Sequence, residues 1–420
     1  MRILLKAVRI TDVQSSHNNT SKDILISNGT IEAIGTRLNV DDALIVAQPQ
    51  LHVSQGWVDF KSSLMDPGFD ESGGIAKGLD QAALGGFTHI GVLPNDLPAS
   101  DSRTSIEYKL RMAENHAVCL HPIGAITQKM AGNSLAEMYD MFQAGARFFS
   151  DDLSEQRTET TVRALQYTKD FGAKLILSST FHCGEQPSLV HEGTASLRTG
   201  LKGDSDMEER LNIQRAIELA KYVECPLHIS GISTQSVLFM IEKAKSEGLQ
   251  ITCDTNLMNL CFNEEATLNF DTRFKTKPVL RTEIDRIALI AALKSGLIDA
   301  VVSDHRPSIT DTKKTMFDEA AIGSPQLSTV FAALAHYSGL KTDEIVQILS
   351  INNRKTFCID ACPIESGNPV DMTLYIPGSH FSWGNTNPQH RELSPFNEVP
   401  MLGQVHGILR GNKAILNHVD

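Results

Sequence analysis

Eight short apolar stretches, most of them separated by segments of helical period, fill the middle of this sequence and restrict its fold more than any other feature. They are GWVDF, THIGVLP, AVCLHPIGAI, ARFFSDD, AKLILSS, CPLHIS, LQITCD and IDAVVSDH. Intervening segments such as SLAEMYDMFQAG and TEIDRIALIAALKSG repeat their apolar residues at helical spacing. Strands buried on both faces read as continuous apolar runs, and eight of them alternating with helices predict a closed parallel (β/α)8 barrel. Local signals agree: Ser134 with Glu137 and Thr282 with Asp285 read as capping boxes at two helix starts, and Gly145 and Gly296 stand where helix C-caps belong.

The flanks have a different texture. RILLKAVRI, KDILISNGTIEAIG and ALIVAQ are short strand-like runs, with SNGT as a hairpin turn, and DMTLYIP and QVHGILRGNKAIL resume the pattern near the other end. We therefore expect an α/β protein in which residues 1–52 and 366–420 form a small β-sandwich domain beside a barrel spanning 53–365.

With 41% hydrophobic residues in 420, the chain can bury a large core. Its 38 basic and 50 acidic residues give a formal charge of −12, which argues against a nucleic-acid partner and against a polybasic membrane patch. No window approaches the roughly 18 apolar residues of a membrane span, and MRILLKAVRITD has too short an apolar run for a signal peptide core. The seven cysteines are scattered without a Cys-x-x-Cys pair, as expected of reduced, largely buried thiols. A cytoplasmic protein is expected.

In such a barrel the site is built where the strands end, so polar residues closing apolar strands are the candidates. Strand one ends in Asp59, Lys61 and Ser63, and strand two in Asn95. Strand four ends in Asp151 and Asp152, strand five near Ser178, His182 and Cys183, strand six in His228, and strand eight in Asp304 and His305. Histidines and carboxylates converging on one mouth suit a divalent metal that activates water. Asp151 and Asp152 equally suit helix N-caps, and His228 equally suits a core histidine bonded to a carbonyl. An acid at Asp304, after IDAVVS, is costly to bury without a partner or a task.

One long stretch, GWVDFKSSLMDPGFDESGGIAKGLDQAALGGFTHIGVLPNDLP, resembles the G-[FW]-[VI]-D-x-H-x-H-L-R-x-P-G segment, the A-x-x-G-G-F-T helix end and the P-N-T-x-P loop of the dihydroorotase branch of the amidohydrolase superfamily. GARFFSDDLS, HEGTASLRTGLKG, PLHISGIST, FKTKPVLR, IDAVVSDHRPS and KKTMFDEAAIG extend the resemblance through most of the chain. It implies an amidohydrolase-type barrel and a zinc site with ligands at Asp151, His228 and Asp304. The strand-five ligand falls at His182 by local similarity or near Ser178 when aligned backward from HEG, with Cys183 adjacent. The resemblance also gives Asp304 the catalytic acid/base role, and Asn95, Arg281 and His305 the substrate contacts.

Lys61 and Ser63, however, stand where the family carries its two strand-one histidines, and Met65 replaces the arginine that grips the substrate carboxylate. On strand seven, Leu257, Met258 and Asn259 replace P-H-H-L, and D-H-A-P-H has become Asp304, His305, Arg306, Pro307 and Ser308. A protonated lysine cannot ligate zinc, and a serine hydroxyl is a poor ligand beside imidazole. The expectation is that the Lys61 ammonium takes the place of the metal charge, pairing Asp304 and Asp151, and that alternation puts Lys61 on the same strand face as Asp59 and Ser63.

Two functions follow from the resemblance. One is a catalytically impaired dihydroorotase-like protein with no metal, acting as a structural or regulatory partner of aspartate carbamoyltransferase. The alternative is an active dihydroorotase, interconverting N-carbamoyl-aspartate and dihydroorotate with a single zinc ion. A homo-oligomer is expected in either case.

Overall fold

The computed structural model describes residues 2–68, 73–155, 157–181, 187–382, 392–397 and 399–417. His182 and Cys183 lie outside them. Five strands come first: β1 (Arg2–Ile10), β2 (Ser21–Ser27), β3 (Thr30–Gly35), β4 (Leu44–Val46) and β5 (His52–Gln55). Asn28 and Gly29 link β2 to β3 with φ of 50° and 77°, the left-handed pair that a two-residue hairpin turn requires.

The barrel strands are β6 (Trp57–Ser62), β7 (Phe87–Val92), β8 (Cys119–Gly124), β9 (Phe148–Phe149) and β10 (Lys174–Ser178), then, after a short pair β11 (Val190–His191) and β12 (Gly203–Asp204), β13 (Leu227–Ser230), β14 (Ile251–Asn256) and β15 (Ala300–Val302). Each of the eight apolar stretches overlaps one of them. They run parallel in the order β6-β7-β8-β9-β10-β13-β14-β15. The ring is nearly closed by a parallel bridge between Ser62 and His305, and by Ser303 donating its backbone N–H to Asp59 Oδ1 at 2.6 Å.

Three strands complete the second sheet: β16 (Asp371–Ser382), β17 (Pro400–Arg410) and β18 (Lys413–Leu416). Its order is β18-β17-β16-β5-β1-β2-β3, with β4 beside β1, so the two ends of the chain share one sheet and β5 carries that sheet as far as Gln55. The antiparallel pairing of β5 with β16, Met372 opposite Gln55, makes the join.

Inside the barrel, Val58, Phe60, Leu93, Ile123, Phe148, Ile176, Ala300 and Val302 form one buried cluster with Phe357. Phe60 and Phe357 stack with ring centroids 4.3 Å apart and planes 8° apart. The strands' outer faces belong to a larger cluster shared with the surrounding helices, among them Gly74–Leu84, Asp206–Val223 and Glu283–Lys294. Among the described residues, no helix is long and apolar enough to cross a membrane.

Two local expectations fare differently. The capping box of Thr282 and Asp285 forms, the hydroxyl accepting from Asp285 N at 3.2 Å and the carboxylate from Thr282 N at 3.2 Å. The one at Ser134 does not. That helix starts at Met138, because Leu135 is drawn into an antiparallel bridge with Thr127 and Ala136 N donates to Ile126 O.

Candidate functional site

Lys61 closes β6 and is buried, its Nζ 3.7 Å from Asp304 Oδ1 and 3.3 Å from Asn256 Oδ1. Asn256 in turn donates from Nδ2 to Asp304 Oδ2 at 3.1 Å. Arg306, two residues beyond Asp304, donates from Nε to Asp304 Oδ1 at 3.0 Å and holds both oxygens of Asp152 at 2.7 and 2.6 Å. Asn95 bridges onward, its Nδ2 donating to Asp152 Oδ2 at 3.3 Å and its Oδ1 accepting from Ser63 Oγ at 3.0 Å. Two cations and two carboxylates, with amides between them, thus form one connected network across the barrel mouth.

Burial alone would ease the proton off Arg306, but the charges of Asp152 and Asp304 outweigh it and push the guanidinium's pKa further up. The cation is permanent. Both acids adopt left-handed backbone, with φ of 51° at Asp152 and 49° at Asp304, a conformation uncommon outside glycine but accessible to aspartate.

The pairing of Lys61 with Asp304 is as expected; that with Asp151 is not. Asp151 Oδ1 accepts the backbone N–H groups of Ile126 and Thr127 at 2.8 and 3.0 Å, and its other oxygen takes the Thr127 hydroxyl, so its carboxylate anchors the chain after β8. Its neighbour Asp152 is the acid that faces the mouth.

His228 is likewise engaged at both ring nitrogens. Nδ1 meets Thr252 Oγ1 at 2.8 Å, and Nε2 meets Asp254 Oδ2 at 2.8 Å. Asp254 also accepts from Ser230 Oγ and Gly231 N. Burial would raise the Asp254 pKa, but the His228 hydrogen bond and the positive charges of His228 and Lys61 hold it below the usual carboxylate range.

His305 is engaged at one ring nitrogen. Its Nδ1 accepts the N–H groups of Gln326 and Leu327 at 2.9 and 3.3 Å, pinning the following loop. Arg281 belongs to a second buried network, donating to Asp204 O and Oδ1 at 2.6 and 2.7 Å and to Ser233 Oγ at 3.1 Å, with Lys277 on the same Asp204 carboxylate.

Asp59 does not share the face of Lys61. A register shift between Asp59 and Ser62 breaks the alternation of β6, and Asp59 is spent on Ser62 Oγ and on Ser303 at the barrel seam. The same shift lets consecutive residues Phe60 and Lys61 line one interior cavity, with Asp152, Ser178, Ser230 and Asp254. At about 10 Å³ that cavity is at the lower limit for one water and far too small for a cyclic amide. Ser178 Oγ, buried beside it, finds no partner among the described residues.

Asp254 and Asn256 were the members that sequence reasoning missed, while Asp152 and Arg306 were named but not paired with each other. Asp254 and Asn256 close β14, so the strand-end rule would have selected both. Arg306 gave no such signal.

A zinc centre does not fit the described residues of this mouth. Both nitrogens of His228 are bound, Asp304 is paired with two cations, and the Lys61 ammonium offers no lone pair.

Sequence relatives align with this chain along nearly its whole length. The dihydroorotase of Thermoanaerobacter sp. (strain X514) is 34% identical over 387 residues, covering 90% of this chain and 88% of its own. The chain belongs to the dihydroorotase family. A family model described as Dihydro-orotase-like matches residues 52–237. The dihydroorotase of Acetivibrio thermocellus is 30% identical over 429 residues, covering 99% of this chain and 100% of its own. In fold, this family member is similar to the L-hydantoinase (dihydropyrimidinase) of Arthrobacter aurescens, with a TM-score of 0.81 at 19% identity over 99% of this chain and 96% of that one. It is equally similar to dihydropyrimidinase from Brevibacillus agri NCHU1002, with a TM-score of 0.81 at 18% identity. The amidohydrolase-type barrel with its β-sandwich domain is therefore present, while the mouth departs from what the family resemblance implies.

Proposed function

We propose that this dihydroorotase-family chain is a non-catalytic member that serves pyrimidine biosynthesis as a structural or regulatory partner of aspartate carbamoyltransferase. The observation that carries the non-catalytic reading is the pairing of Lys61 and Arg306 with Asp304 and Asp152 across the mouth. Cyclic-amide hydrolysis by this family depends on a dication that lowers the pKa of bound water towards about 7. An ammonium and a guanidinium supply charge but no coordination position, so no hydroxide is generated. Asp304, engaged by both, is also poorly placed to pass a proton, and Met65 provides no cation for a substrate carboxylate. The choice of partner rests on the family resemblance.

The first test is dihydroorotate turnover by the purified chain after incubation with excess zinc or manganese. No turnover is expected. Turnover abolished by Asp304→Asn would overturn the non-catalytic reading and favour an active dihydroorotase with a single metal, an activity with which the relatives' names are equally consistent. The partner is tested by size-exclusion chromatography of the chain with aspartate carbamoyltransferase: co-elution is expected, and separate elution would remove the scaffold role. The chain run alone reports whether it is a homo-oligomer.

A further inference from the structure

At the opposite end of the barrel strands from the mouth, His89 on β7 and Cys119 and His121 on β8 bring one ligand atom each to within 4.8 Å of the other two. The His89 Nδ1 and His121 Nε2 atoms are 2.9 Å apart. Two N–H groups cannot face each other at that distance, so at least one lone pair points into the gap. The other nitrogen of His89, Nε2, lies 2.8 Å from Asp371 Oδ2, and Arg354 donates to that same oxygen at 2.6 Å. A histidine ligand whose second nitrogen is fixed by a carboxylate is the usual arrangement at protein metal centres, because the carboxylate sets the tautomer and raises the basicity of the ligating atom. The three residues border an open cavity of about 750 Å³, also lined by Cys358, Arg410 and Lys413, which gives an ion a path from solvent.

We propose that His89, Cys119 and His121 form a binding site for a thiolate-accepting transition-metal ion of the zinc class, with a fourth position open to the cavity. Two imidazoles and a thiolate select such an ion over magnesium or calcium, which prefer oxygen. In a tetrahedral centre, ligand atoms stand about 3.3–3.6 Å apart for zinc bonds of roughly 2.0–2.3 Å. Binding therefore spreads the two imidazoles slightly and takes the Cys119 sulfur as a thiolate, with its proton released to solvent. Because Asp371 opens β16, the site joins the floor of the barrel to the terminal sheet, and the ion acts as a clip between them rather than as a reagent. It is independent of the mouth residues Lys61, Asp304 and Arg306.

The full chain, stripped with a chelator, is dialysed against zinc and separately against cobalt. About one zinc per chain is expected, with zinc protecting Cys119 from iodoacetamide in peptide mapping, and cobalt should produce a near-ultraviolet thiolate-to-cobalt charge-transfer band. Cys119→Ser should abolish the band, and His121→Ala, which removes a ligand outright, should weaken zinc binding by more than the roughly 10–100-fold that losing an outer-shell partner costs, while Asp304→Asn should change neither. A wild-type chain that retains no zinc and shows no band refutes the site without recourse to any variant. A band and stoichiometry that survive in Cys119→Ser, or that leave Cys119 open to alkylation, would also refute it by placing the metal elsewhere.

Discussion

Arg306→Met is the sharpest test of the mouth network, because methionine keeps much of the side-chain length and removes only the charge and its donors. The substitution deletes the hydrogen bond to Asp304 at 3.0 Å and the two to Asp152 at 2.7 and 2.6 Å, all buried. A hydrogen bond to a charged group contributes about 1.5–3 kcal/mol, so simple addition would give roughly 4.5–9. Addition overstates the loss. Asp304 keeps Lys61 at 3.7 Å and Asn256 at 3.1 Å, and Asp152 keeps Asn95 at 3.3 Å. The expected cost is therefore that of breaking one buried ion pair, about 3–5 kcal/mol, from a total that for natural domains is about 5–15. Urea unfolding of the full chain followed by far-ultraviolet circular dichroism reads it, and the loss should persist at high salt because buried pairs are screened weakly. Adding Asp152→Asn should recover at least about 1 kcal/mol by neutralising the carboxylate left behind. A single variant within about 1 kcal/mol of wild type, or a double variant less stable than the single, would refute the view that charge balance holds the mouth together.

Lys313 is buried and donates to Thr272 O and Ala321 O, and burial together with the Lys275 charge lowers its pKa to about 7. Between pH 7 and the ordinary lysine value near 10.4, the unfolded chain binds this proton and the folded chain does not, so the group makes stability rise with pH, by at most about 1.4 kcal/mol per unit. Urea midpoints of wild type and Lys313→Met at pH 6, 7.5 and 9 should diverge in slope; parallel curves would contradict the shift. Gly91→Ala places a Cβ 2.7 Å from Phe60 Cγ and 3.0 Å from its Cα inside the barrel, and should lower stability by about 1–3 kcal/mol in thermal unfolding, where an unchanged midpoint would show that Phe60 yields freely. Thr282→Ala removes the cap on helix Glu283–Lys294 and should cost about 1 kcal/mol by the same measurement, with Thr282→Ser restoring most of it.

Much of this molecule was determined by the sequence alone, at the level of pattern. Apolar runs of strand length between helix-period segments dictate barrel strands wherever both faces are buried, and all eight stretches overlap one. Asn28 and Gly29 dictate their hairpin because few other pairs tolerate two left-handed residues, and Thr282 dictates its cap because the partner lies three residues away. The family resemblance, carried by ordered motifs, belongs to the same level, as does the loss of two histidine positions at Lys61 and Ser63.

What each polar group does was decided only by the tertiary structure. Asp151 and Asp152 are adjacent and chemically identical, yet one anchors backbone N–H groups and the other meets Arg306, a choice set by the left-handed turn at Asp152. Asp59 left the mouth because a register shift interrupts β6, and His228 is occupied by an acid from the neighbouring strand. Lys61 reaches Asn256 across 195 positions of sequence and Arg306 reaches Asp152 across 154. Periodicity records which side chains must be buried, since that depends on nearest neighbours in one element. Which buried charge faces which depends on how separate strands are set side by side, and closing the barrel fixes that in three dimensions.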